Sequence, residues 1–197
     1  MNKILIPEQD ITSLESIGRG VMGVRVLIVN VYAISPAPDT WVLVDCGLPH
    51  SGAYIKRWAQ NHFGSVPPLC ILLTHGHFDH TGAIEDLVRE WSVPVYVHPL
   101  GMPYVTGQSE YPPPDPSVGG SVMALLSKMY PRGPVDVSDA ARPLGDGGAI
   151  PDLPGWRWIH TPGHTAGHVS FFREEDRLVA FPKRFSNGGI PPANRPQ

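Results

Sequence analysis

The chain has 197 residues, of which 42% are hydrophobic and 17% charged, with a formal net charge of −3 at pH 7. That length fits one domain with a sizeable core, and the composition excludes a disordered or fibrous chain. The slight acidity and the absence of a long basic run argue against a nucleic-acid partner, and no run approaches the roughly 18 apolar residues of a membrane-spanning helix.

In chain order, Met1 to Glu8 holds too short an apolar stretch for a signal peptide. Residues 3–20 alternate weakly and contain Gly18 and Gly20, which reads as an edge strand and a turn. Val24 to Ile34 is apolar and β-branched and predicts one continuous strand. Asn30 and Tyr32 within it are read as structural. Ser35 to Asp39 is a turn by its prolines, and Thr40 to Val44 is the next strand, ending at Asp45. Asp45 has two readings. It caps the helix expected over Ala53–Phe63, or, as a buried carboxylate, it accepts the second ring N–H of a ligand histidine. His50 and His62 are read as surface residues. Cys46 and Cys70, the only cysteines, fall in predicted buried strands and make no disulfide framework, which points to a reducing cytosol.

A short apolar run, Leu69 to Leu73, predicts a buried strand that leads into Thr74-His75-Gly76-His77-Phe78-Asp79-His80. His75 and His77 are two apart, so an extended backbone points both side chains the same way. Asp79 and His80 follow after a half-turn and point to an adjacent position. Thr81 to Trp91 has helical apolar spacing (Ala83, Ile84, Leu87, Val88, Trp91), which places the cluster on a strand-to-helix loop. Imidazoles beside a carboxylate suit zinc; the competing reading is a solvated His-rich loop. Pro94 to His98 is a short strand with His98 structural, and the βαβα alternation over 40–98 predicts helices packed on a sheet, an α/β architecture.

Residues 99–155 are crowded with prolines and carry one predicted helix, Val118 to Tyr130. We read them as a lid-like insertion in which Tyr104, Tyr111, Met123 and Met129 wall an apolar pocket. Trp156 to His160 alternates as a strand, Thr161-Pro-Gly-His164 is a loop, His168 to Phe172 is a strand, and Asp176 to Phe181 is the last. His168 is read as hydrogen-bonded inside the fold.

His75-x-His77-x-Asp79-His80 after an apolar strand resembles the signature of the metallo-β-lactamase-fold hydrolases. Trp41-Val-Leu-Val-Asp45-Cys-Gly47 resembles that family's strand ending in Asp-x-Gly, and Thr161-Pro-Gly-His164-Thr-Ala-Gly-His168 resembles the segment with its third histidine ligand. The similarity covers about residues 20 to 180. It implies a four-layer αββα sandwich and hydrolysis by a metal-bound hydroxide. His75, His77 and His164 would hold one zinc and leave a fourth position for water. Asp79 and His80 would serve a second position, and Asp79 would also orient the water; Asp45 takes the role behind the ligands. The chain departs from the family at Phe181-Pro-Lys-Arg184, where relatives read Gly-Asp. No Asp or Glu follows Asp176 and no His follows His168.

We therefore expect a domain over 1–180, incomplete at its C-terminus in the manner of a truncated or frame-shifted copy, and an unstructured atypical tail over 181–197. One zinc should bind well and a second weakly. The strand Asp176–Phe181 should be an open edge that invites self-association. The expected substrate is a small ester, thioester or lactone, acted on in the cytoplasm. The alternative is a catalytically inactive, truncated metal-binding protein.

Overall fold

The computed structural model describes residues 11–110, 135–180 and 185–186. The N-terminal third is a meander of β-branched strands: β1 (Ile11–Gly18), β2 (Val21–Val26), β3 (Val29–Ala37) and β4 (Thr40–Val44), each antiparallel to the next. The single strand expected over Val24–Ile34 is therefore two. It breaks at Leu27–Ile28, where Leu27 takes φ 56 and Val26 pairs with Val29 across the turn. The turn lacks glycine, asparagine and proline, so nothing in its composition marks it. Its two side chains are 39% and 60% exposed, as a hairpin tip demands.

From β4 the sheet continues in parallel through β5 (Ile71–Leu72), β6 (Val95–Val97) and β7 (Ala141–Pro143), giving seven strands in sequence order among the described residues. The parallel crossovers carry helices. α1 (Gly52–Phe63) lies between β4 and β5. α2 (Phe78–Thr81) and α3 (Ile84–Trp91) lie between β5 and β6. Helical spacing in α1 and α3 turns Ile55, Trp58, Ile84 and Leu87 onto the sheet, against Val31, Ala33, Trp41 and Leu43. Trp41 stacks on Phe63 with ring centroids 4.4 Å apart, and its indole N–H donates to Val66 O at 3.0 Å.

The alternate residues of the same strands, Tyr32, Ile34, Val42 and Val44, face a second core. Among the described residues that core is closed by an antiparallel sheet of four strands: β8 (Trp156–His160), β9 (Val169–Arg173), β10 (Leu178–Ala180) and β11 (Phe185–Ser186), in spatial order β11-β10-β9-β8. With both faces covered, β3 and β4 read as near-continuous apolar runs. Helices, seven-stranded sheet and four-stranded sheet form the successive layers of an α/β sandwich.

The described ends of the expected lid-like insertion pack into the body of the fold. α4 (Met102–Val105) is followed by a neck at which Gly107 N–H donates to Val135 O and Val137 N–H to Val105 O. Val105, Val137 and Ala141 are buried on the helical side of the sheet, and Leu144, Ile150 and Leu153 between the sheets. Proline fits here because β7 is an edge strand, where a missing N–H breaks no ladder. The helix expected at Val118–Tyr130, with Tyr111, Met123 and Met129, lies outside the described residues. The open edge expected at the last strand needs correction. Phe185 pairs with Ala180 and Ser186 with Val179, so β10 lies between two neighbours rather than forming an open edge. Residues 181–184 and 187–197 lie outside the described residues.

A candidate metal centre

Parallel β4 and β5 end side by side, and the chain just past both ends builds the site. Asp45 N–H donates to Leu72 O at 2.9 Å, and Asp45 takes a left-handed backbone (φ 64), which turns its carboxylate under the loop that follows β5. There the fully buried carboxylate accepts from Thr74 N–H at 2.8 Å and from the Thr74 hydroxyl at 2.8 Å. It also accepts from His80 Nδ1–H at 2.8 Å. It does not cap α1: Ser51 holds that position, and its own hydroxyl bonds back to Leu48 O at 2.7 Å.

His77 starts the single turn of α2, which places Asp79 and His80 one step on, as the sequence spacing implies. The turn is pinned from below. Cys46 N–H donates to His80 O at 2.7 Å, and Gly82 N–H to Gly47 O at 2.9 Å. The approach at Gly82 is so close that a Cβ there would lie 2.2 Å from Pro49 N.

His164 arrives from the other sheet, on the loop between β8 and β9. Three contacts dock that loop. Val169 N–H donates to Thr74 O at 2.9 Å. His160 Nε2–H donates to Ala166 O at 2.7 Å, while its ring stacks on His98 at 4.2 Å. Gly167 packs on the turn Pro99–Gly101 so tightly that a Cβ would lie 2.8 Å from Gly101 N.

These elements bring two donor groups together: His75, His77 and His164, and His75, Asp79 and His80, with the ligand atoms of each group within 4.8 Å of one another. His77 Nδ1 lies 3.0 Å from His164 Nε2. His75 is shared, and His80 Nε2 lies 3.5 Å from Asp79 Oδ2. Burial, reinforced by the surrounding imidazoles, pushes the His75 pKa well below its usual value and that of His77 down to about 3. Both rings are therefore neutral near pH 7, the form that binds metal.

Among the described residues, His75 Nε2 is a buried nitrogen with no hydrogen-bond partner, an arrangement that costs about 1–3 kcal/mol unless something binds there. A tetrahedral ion with metal–nitrogen bonds near 2.0–2.1 Å sets its ligand nitrogens about 3.3 Å apart. The residues present fit such an ion.

The remaining histidines stand outside both groups. His168 Nδ1 bonds to Thr161 Oγ1 at 2.8 Å, inside the fold as expected. His98 Nδ1 accepts from Leu100 N–H at 3.2 Å. His50 is exposed, and His62 Nδ1 bonds to Trp58 O at 2.8 Å. Asn30 donates to the Tyr32 hydroxyl at 2.9 Å, and burial pushes the Tyr32 pKa up to about 12. Sequence reasoning missed Thr74 and the His98–His160 stack. A hydroxyl residue directly before the first histidine is the one signal that could have flagged Thr74.

The sequence profile of the metallo-beta-lactamase superfamily matches residues 24–180. The probable metallo-hydrolase YflN of Bacillus subtilis (strain 168) is 44% identical over 181 residues, covering 88% of this chain and 69% of its own. Among solved structures, the Rm3 metallo-beta-lactamase superposes with a TM-score of 0.60 at 24% identity, over 84% of this chain and 56% of its own. TTHA1623, solved in a di-iron-bound form, superposes with a TM-score of 0.51 at 31% identity, over 77% of this chain and 65% of its own. The chain thus spans little more than half to about two thirds of these relatives' lengths. It belongs to the metallo-beta-lactamase superfamily.

Proposed function

We propose that this chain is a metal-dependent hydrolase of a small ester, thioester or lactone, working with zinc in a reducing cytosol. The observation that carries the reading is the convergence of His77 Nδ1, His164 Nε2 and the partnerless, buried His75 Nε2 on one position. His75, His77 and His164 would hold the ion, with Asp79 and His80 beside it at the second position. A divalent ion held there would polarise a carbonyl and bring the pKa of water down to about 7.

The chain's own residues divide the remaining work. The neutral imidazoles supply lone pairs without needing to lose a proton. Asp79, partly exposed at the start of α2, would accept a proton from an attacking water and orient that water. Asp45 fixes His80 in the tautomer whose Nε2 faces Asp79. Buried, free Cys46 and Cys70 suit a reducing setting.

A second reading, a protein that binds metal without turnover, is favoured by one feature. Among the described residues, the second group has only Asp79 and His80 besides the shared His75. The two readings part on experiment. The protein is stripped with a chelator and reloaded with zinc. It is then assayed by elemental analysis and against chromogenic esters, thioesters and lactones. The proposal expects close to one tightly held zinc per chain, most of it lost in His77→Ala, and turnover of at least one carbonyl class. Zinc without turnover of any class would favour the second reading; undiminished zinc in His77→Ala would remove the site itself.

A further inference from the structure

We propose that Thr74 is a positioning residue for the metal centre, relaying the Asp45 carboxylate to His75 so that Nε2 of His75 presents its lone pair. The proposal rests on the metal-centre reading above and concerns a side chain outside both donor groups.

The Thr74 hydroxyl lies 2.8 Å from Asp45 Oδ2, 3.0 Å from Asp45 Oδ1 and 3.1 Å from His75 Nδ1. A hydroxyl has one proton to give and lone pairs with which to accept. Both carboxylate oxygens only accept, and they are the nearer partners. The proton therefore goes to Asp45, and the only favourable bond left to His75 is Nδ1–H donating into Thr74 Oγ1. The opposite assignment would aim hydroxyl lone pairs at a carboxylate 2.8 Å away, in a site where Thr74 and Asp45 are both buried.

With the proton on Nδ1, Nε2 of His75 carries a lone pair. This is the same nitrogen that is buried without a partner. Were Nε2 protonated, a buried N–H would point at nothing. His80 is set the same way without an intermediary, its Nδ1–H donating to Asp45 Oδ2 at 2.8 Å. One carboxylate thus orients a histidine in each donor group, directly for His80 and through Thr74 for His75. Loss of the hydroxyl should free His75 to exchange tautomers and leave its Nδ1–H unpaired, while leaving His77 and His164 as they are.

The test compares Thr74→Ser, which keeps the hydroxyl, with Thr74→Val, which keeps the shape and loses it. Zinc affinity is measured by chelator competition at one fixed pH above neutrality. The tautomer of His75 is read from long-range nitrogen–proton NMR of the metal-free wild-type chain. We expect a pyrrole-type Nδ1 and a pyridine-type Nε2 in the wild type. Thr74→Ser should bind zinc nearly as the wild type does, and Thr74→Val about tenfold to a hundredfold more weakly, the usual scale for removing a partner of a metal ligand. Equal affinity for wild type and Thr74→Val would overturn the proposal. So would an equal loss in both variants, which would indicate packing, or a proton found on Nε2. The spectrum needs no variant, so a Thr74→Val protein that fails to fold leaves the proposal testable. A wild type that holds no zinc would sink the metal-centre reading, and the spectrum would still judge the Thr74 relay.

Discussion

Gly82→Ala tests how the metal loop is seated. Gly82 follows α2 with helical dihedrals (φ −59, ψ −29), so helix propensity alone predicts that alanine stabilises the protein by up to about 1 kcal/mol. The surroundings predict the reverse. The new Cβ would lie 2.2 Å from Pro49 N, 2.3 Å from Leu48 C and 2.5 Å from Pro49 Cδ, where unstrained carbon contacts lie near 3.5–4.0 Å. Two of those atoms are backbone, so no side chain can swing away, and one segment must shift by more than about 1 Å. The shift breaks or stretches the bonds Gly82 N–H to Gly47 O (2.9 Å) and Cys46 N–H to His80 O (2.7 Å). Overpacking of this kind costs about 1–3 kcal/mol, and the two hydrogen bonds about 0.5–1.5 kcal/mol each. Set against the propensity gain, the net loss is about 3 kcal/mol. For a chain of this length that is a fall in Tm of roughly 6–12 °C. The assay is a circular-dichroism melt with chelator present, so that metal binding does not contribute. An unchanged or higher Tm would show that propensity outweighs the clash and that the loop is not seated on Leu48–Pro49 as described.

Other perturbations act on the donors and on what surrounds them. Asp79→Asn should keep the first zinc yet lower hydrolysis by about 100-fold or more, the scale of general acid–base help; zinc and activity lost together would instead make Asp79 a ligand of the first ion. Asp45→Asn turns an acceptor of three hydrogen bonds into a side chain with an N–H₂ that faces a donor. It should cost about 2–4 kcal/mol in a denaturant melt, and a melt matching the wild type would remove Asp45 from this network. The pH dependence of the metal-free protein follows from the buried histidines. Burial, helped by His164, holds His168 down to about 4, and His77 lies at about 3. As pH falls from about 6.5 towards 4 the unfolded chain takes up protons that the folded one refuses, so stability must fall over that window. Chelated samples melted at about pH 7 and about pH 5 check the sign, and equal or greater stability at the lower pH would contradict it.

Much of this was legible where the signal is local. Thr40–Val44 and Trp156–His160 were read with their observed bounds because turn residues frame each of them. The grouping of His75 with His77, and of Asp79 with His80, follows from backbone periodicity alone. The place of His164 is different. It depends on Val169 bonding to Thr74 O across the two sheets, which no local pattern encodes, and only the family resemblance pointed to it. The hairpin at Leu27–Ile28 stayed hidden because its turn is apolar. Within the expected insertion over 99–155, proline density hid the strand β7, which accepts Pro143 by lying at the sheet's edge among the described residues. The place of Thr74 before His75 was a signal in the sequence, but its hydrogen bonds to Asp45 and His75 are a matter of distances that no local pattern encodes.

On the proposed reading, three histidines from two sheets hold one ion. Anomalous diffraction at the zinc edge, on crystals of the zinc-loaded protein, tests it most directly. A peak is expected about 2.0–2.1 Å from His75 Nε2, His77 Nδ1 and His164 Nε2 together. A zinc-loaded crystal with no peak there, or with its peak on donors that exclude His164, would contradict it.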